Sequence, residues 1–250
     1  MIEIFILSLI QGFTEFLPVS SSSHLIIIGE ITKFDYSNIF LDISLHIGSF
    51  LAVLIYFRKY VLEFLENRKI LSLILISSLP ILFFGFLIIN FKIVENLRSI
   101  QIIAWMTIIF GVLLFISDKF KTSKNLKKDL NLKSAIIIGF IHSLALIPGV
   151  SRSGIAITAA RFLGFERSES AKISFLISIP TLFMVSVYGI FSLYKKNLLE
   201  VSNINIVSIV LSFIFSYLTI KFLLIFLKKF DLKIFVIYRL FLGLFLLFYF

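Results

Sequence analysis

Six stretches of the chain are near-continuous apolar runs, at residues 38–57, 71–90, 100–117, 171–194, 203–226 and 234–250. A helix needs about 20 apolar residues to cross the hydrocarbon core of a bilayer, so each run predicts one complete span. Two further apolar stretches, 1–33 and 134–164, are interrupted halfway, by LPVSSSSH at 17–24 and PGVSRSGIAIT at 148–158. Proline, glycine and a run of hydroxyls break helical hydrogen bonding. At membrane depth such backbone survives only where protein or a water-filled cavity satisfies its polar groups. Both stretches are therefore predicted to be re-entrant helix-break-helix hairpins. The leading segment MIEIFILSLIQGFTEF has no basic region and runs directly into polar residues, so it is expected to belong to the mature fold rather than to a cleaved leader.

The distribution of lysine and arginine tests this reading, because a span changes the side of the next loop and a re-entrant hairpin does not. With the loop 118–133 inside, the loops at 58–69, 161–172 and 228–233 fall inside too, and together they hold sixteen Lys and Arg. Lys33, Lys92, Arg98, Lys195 and Lys196 fall outside, with both termini. The asymmetry holds only if both broken stretches are re-entrant. The same parity divides the chain into 1–117 and 134–250, each a broken hairpin followed by three spans, entering from opposite sides and joined by the basic linker 118–133. At an offset of 130, Leu17-Pro18 lies over Ile147-Pro148, and each proline precedes a serine cluster. The expected fold is an all-α polytopic membrane protein, six transmembrane helices plus two re-entrant hairpins in an inverted-topology repeat. Such repeats place a binding site where their broken elements meet.

Composition removes other classes. With 59% hydrophobic and 15% charged residues and a mean hydropathy of +1.07, the chain lacks the polar surface a soluble enzyme requires. The net charge of +10 is spread over loops between apolar runs, which suits lipid headgroups and not nucleic acid. There is no cysteine, so disulfides, zinc thiolates and thiol nucleophiles are excluded.

The candidate chemistry sits at the two breaks. Gln11 and Glu15 stand at i and i+4 on one helix face. An acid inside the membrane is costly and marks a pathway or a site, the alternative being a protonated Glu15 that bonds a helix end. Ser20, Ser21, Ser22, Ser23 and His24 supply hydroxyls, an imidazole and a half-helix N-terminus, a set suited to an anion and to attack on phosphorus. Serines alone would also serve as helix caps. In Pro148-Gly149-Val150-Ser151-Arg152-Ser153-Gly154, Arg152 needs an anionic partner, either Glu15 in a structural pair or a substrate phosphate held in bidentate fashion. The flanking Gly149 and Gly154 favour close approach of a phosphate. Asp42, His46 and His142 are expected to support the site at most, and Glu166, Arg167 and Glu169 to form a solvated turn.

At QGFTEFLPVSSSSH and PGVSRSG the sequence resembles the BacA/UppP family of undecaprenyl-diphosphate phosphatases, and the resemblance extends through LHIGSFLAV and ARFLGFERSESAKISFLISIP. It implies a multi-pass enzyme of the bacterial inner membrane, with its active site open to the outer face. Its partner would be a C55 isoprenyl diphosphate, whose terminal phosphate it removes to recycle the cell-wall lipid carrier, giving bacitracin resistance when abundant. By position, Gln11 and Glu15 match the family's acidic motif. Ser20, Ser21 and His24 match its catalytic group, and Ser151, Arg152 and Ser153 its phosphate clamp. The family's divalent cation, Mg²⁺ or Ca²⁺, would fall to Glu15, since Gln11 occupies the other acidic position. The nucleophile stays open between Ser21 activated by His24, a water and a phospho-histidine. Where the motif has threonine this chain has Ala156, and Thr158, two places on, faces another side of the helix. A prenyl-phosphate flippase is the alternative reading, a non-catalytic lipid-binding protein the third, and a homodimer is compatible with all three.

Overall fold

Apolar side chains turned outward and small polar ones turned inward govern the packing. Phe83, Phe86, Trp105, Phe241 and Phe248 are exposed, whereas Gln11, Ser49, Ser77, Thr107 and Ser212 are fully buried. This is the arrangement of a protein dissolved in lipid, where helices associate through close packing and hydrogen bonds and not through exclusion of water. The computed structural model describes residues 2–32, 39–66, 68–91, 99–195 and 202–249.

The described residues form helices and no strand. In chain order they are α1 (Ile2–Thr14), α2 (Ser21–Thr32), α3 (Ile39–Tyr56), α4 (Arg58–Glu66), α5 (Arg68–Asn90), α6 (Ile100–Asp118), α7 (Leu126–Asp129), α8 (Leu132–His142), α9 (Arg152–Phe162), α10 (Arg167–Lys195), α11 (Asn203–Phe226) and α12 (Lys233–Tyr249). A short 3₁₀ turn, Ser143–Leu146, follows α8. The segments α5, α6, α10 and α11 are long and apolar enough to cross a membrane, and α3 with α4 makes a fifth if their 68° bend is counted within one span. The chain is a multi-pass membrane protein.

The broken stretches behave differently. With 13 and 12 residues, α1 and α2 each rise only about 20 Å, well short of the 30 Å core. At 11 residues, α8 and α9 are shorter still. In each stretch the two halves pack on one another. The small residues make the close contacts. A Cβ on Gly48 of α3 would meet Ile209 O of α11 at 2.4 Å, and Ser49 Oγ lies 3.2 and 3.0 Å from Ser212 Oγ and Ser216 Oγ. Any larger residue at Gly48 would force these helices apart.

The segments carrying most of the inside charge converge at one end of the bundle. Lys127 pairs with Glu63, the Leu126 amide donates to Glu169, and Arg167 and the Leu232 amide donate to Asp118. One expectation is corrected here. Arg167 and Glu169 do not sit in a solvated turn, because Arg167 grips Asp118 through two nitrogens and Glu169 is buried against Lys172. Only Glu166 of the three is exposed. Of the cations assigned to the other side, Lys33, Lys92, Arg98 and Lys196 lie outside the described residues.

Candidate active site

Each break ends in the same strained residue. Ser20 and Ser151 both adopt positive φ, 75° and 73°, and each stands immediately before the second half-helix of its pair. A non-glycine residue in this region costs about 1–3 kcal/mol and persists only where its surroundings dictate it. Ser151 is held as an N-cap, its Oγ accepting from the Gly154 amide at 3.1 Å, and the Ser20 hydroxyl lies 2.8 Å from that of Ser23. The two serines are 131 residues apart, one more than the offset that aligns the prolines. The second break carries the extra residue at Gly149, whose φ of 95° and closeness to Ile103 O, 2.5 Å from a built Cβ, exclude any side chain.

Glu15, at the first break, is 5% exposed and joins both breaks. Its Oε1 accepts from Arg152 Nη1 at 3.0 Å, across 137 residues of sequence. Its Oε2 accepts from Ser21 Oγ at 2.7 Å and from Gln11 Nε2 at 3.1 Å. Glu15 is therefore paired across the two breaks. Arg152 makes this one hydrogen bond among the described residues, and its side chain keeps 26% of its surface. The other donors of its fork make no hydrogen bond among the described residues.

His24 is not the partner of Ser21. Its Nδ1 lies 2.6 Å from Ser20 O and so carries the proton, since a carbonyl can only accept. That leaves Nε2 as the acceptor of the Tyr238 hydroxyl, on a ring stacked against the imidazole. His46 enters through Gln11, whose Nε2 lies 3.1 Å from His46 Nδ1, while Asp42 stands 3.8 Å from the far nitrogen. Ser153 donates to Leu17 O at 2.7 Å and stitches the breaks together. Thr158 is spent on Gly154 O of its own helix, so it offers nothing in place of the hydroxyl missing at Ala156. The side chain of Ser22 lies outside the described residues.

The residue that sequence patterning passed over is Arg239, treated as part of an ordinary span. It is fully buried, has no acidic partner among the described residues, and donates to Pro18 O of the first break and to Gly149 O and Val150 O of the second, at 3.3, 2.9 and 3.1 Å. Its Nε reaches Thr107 O at 3.1 Å. An arginine within an apolar run was a readable signal, because such a charge is kept only where the fold or the chemistry needs it.

Three buried polar atoms on the half-helices leading to the breaks have no partner, Ser8 Oγ, Gln11 Oε1 and His142 Nδ1. Buried groups left unpaired are costly. Gln11 turns its amide nitrogen to Glu15, so among the described residues at the two breaks the Glu15 carboxylate is the acidic oxygen donor suited to a hard cation that brings its remaining ligands with a phosphate, as Mg²⁺ commonly does. No group of three or more His, Cys, Asp or Glu able to hold a metal unaided occurs among the described residues.

The site can be set against known proteins. The family model described as bacitracin resistance protein BacA matches residues 4–245. An undecaprenyl-diphosphatase of Pelagibacter ubique is 46% identical over 98% of this chain and 96% of its own length. One from Saccharophagus degradans is 40% identical over 95% and 93%, and one from Campylobacter curvus 37% identical over 100% and 98%. Matched from end to end, with both breaks inside the match, the chain belongs to the BacA family.

Proposed function

We propose that this protein is an undecaprenyl-diphosphate phosphatase, hydrolysing the terminal phosphoanhydride to give undecaprenyl phosphate and inorganic phosphate, and thereby recycling the cell-wall lipid carrier. The observation that carries it is the junction of Ser21, Glu15 and Arg152, a hydroxyl, a carboxylate and a guanidinium within hydrogen-bonding distance where two half-helices meet.

The chemistry follows from these contacts. Arg152 takes the terminal phosphate on its remaining donors and neutralises charge that develops on its oxygens. Ser21 Oγ attacks phosphorus while Glu15 accepts its proton. The bond from phosphorus to the bridging oxygen breaks, and the prenyl phosphate leaves. Water then attacks phospho-Ser21, with His24 Nε2 as its base once Tyr238 gives way, and serine regains its proton. A bound Mg²⁺ or Ca²⁺, held by Glu15, would offset the diphosphate charge. In this reading Glu15 takes the part that His24 was expected to play toward Ser21, supported by the hydrogen bond from Ser21 Oγ to Glu15.

The finer topology belongs to the same proposal: six spans, two re-entrant hairpins and an inverted repeat, in the bacterial inner membrane with the site open outward. Supporting it, α1 packs on α11 through Gly12 against Phe215, and α8 packs on α5 through Gly139 against Ser77, the exchange a two-fold repeat requires. Cysteines at the exposed Ser123 and Asn203 are expected to react with an impermeant thiol reagent from opposite sides. Reaction from one side would overturn the topology.

The decisive assay is phosphate release from a prenyl diphosphate by purified protein in detergent. Release should stop on chelation and return with Mg²⁺ or Ca²⁺. Folded protein that releases none, yet moves prenyl phosphate across proteoliposomes, would replace the enzyme with a flippase.

A further inference from the structure

A polar cleft of about 510 Å³ opens at the end of the bundle where the basic segments meet, and it shares no residue with the two breaks. Its lining carries five cations, Lys119, Lys121, Arg161, Arg167 and Lys228. Against them stand two acids, Asp118 and Glu166.

Asp118 is already saturated. Its Oδ1 accepts from Arg167 Nε at 2.6 Å and lies 3.3 Å from Arg161 Nη2, while its Oδ2 accepts from Arg167 Nη2 and from the Leu232 amide, both at 3.1 Å. One carboxylate thus faces two guanidinium groups, and the lysines add to the surplus. Arg161 is 2% exposed, and its Nε is a buried donor with no partner. A donor withheld from water and left unpaired points to a ligand or a trapped water.

The walls are set before anything binds. The amides of Ser123 and Lys124 donate to Gly164 O at 3.2 and 3.0 Å, and the Glu166 amide returns a bond to Lys124 O at 3.1 Å. Lys124 Nζ adds a bond to Leu163 O at 2.7 Å. The segment 118–133 is therefore fastened to the second hairpin and is no loose linker. The N-terminus of the 29-residue α10 adds partial positive charge beside Ser168. The two arginine forks are engaged by Asp118 and by backbone carbonyls. What remains around the preformed cleft, three exposed ammonium groups, the Arg161 Nε and a hydroxyl, matches a compact dianion better than a singly charged diester. Phe120 and Leu227 add apolar surface to the same lining.

We propose that this cleft is a second phosphate site, separate from the Glu15–Arg152 centre, that takes a phosphomonoester group. The test uses full-length protein carrying Arg152→Ala, so that binding at the breaks does not contribute. Retention of dioleoyl phosphatidic acid against phosphatidylcholine is read by native mass spectrometry, and binding of inorganic phosphate by calorimetry. Phosphatidic acid is expected to be retained preferentially, and Lys119→Glu, Lys121→Glu and Lys228→Glu combined to weaken it at least about tenfold, as should raised salt. These lysines are exposed, so the fold should survive, and circular dichroism verifies this. Charge-dependent binding of inorganic phosphate with no preference for the lipid would support the site and assign it to a soluble ligand. Equal affinities before and after charge reversal, or no binding of either probe, would overturn it.

Discussion

Replacing Arg152 by lysine is expected to lower turnover of a prenyl diphosphate on the order of 100-fold while leaving the fold intact. Lysine keeps the charge and can still face Glu15, whose Oε1 lies 3.0 Å from Arg152 Nη1, so the buried carboxylate is not orphaned. What is lost is the planar fork that holds two phosphate oxygens while Glu15 is still engaged. A 100-fold fall corresponds to about 2.7 kcal/mol of transition-state stabilisation, a reasonable share for one bidentate donor in a site shielded from water. Arg152→Ala goes further. It leaves the Glu15 charge buried without its cation, and breaking such a pair commonly costs about 3–5 kcal/mol of stability. Phosphate release under saturating substrate, with thermal unfolding in the same detergent, separates the two effects. Wild-type kcat in the lysine variant would leave Arg152 a structural role only.

Arg239→Ala is expected to destabilise the protein by roughly 3–5 kcal/mol and to abolish activity with it. One guanidinium holds carbonyls on three separate segments, Pro18 on the first break, Gly149 and Val150 on the second, and Thr107 on α6. Truncation removes all of these donors at once and leaves a cavity in place of a fully buried side chain. Arg239→Lys is expected to fall between, because a single ammonium cannot reach every carbonyl at once. Melting followed by circular dichroism, together with phosphate release, provides the check. An alanine variant with wild-type melting and activity would show that the breaks hold their own shape.

The hydrophobic pattern by itself determined where most helices lie. Runs at 100–117 and 203–226 became Ile100–Asp118 and Asn203–Phe226, because in lipid every backbone group must be paired within its own helix, leaving few alternatives. The breaks were equally legible, since proline and clustered serines end helices by local chemistry. So was the pairing of Glu15 with Arg152, for a charge at membrane depth is too costly to keep without a partner. Which atoms meet was not legible. Nothing near Ser21 in the chain says that its hydroxyl turns to Glu15 and not to His24, or that Tyr238 closes over the imidazole from 214 residues away. Nor does the apolar run around Arg239 reveal that its charge meets no acid among the described residues and serves instead as a clasp on two breaks. Those choices depend on the approach of helices distant in sequence, where a difference of about an ångström decides which donor finds which acceptor. Local propensity carries no information at that scale; the packing of α6 and α12 around the two hairpins does.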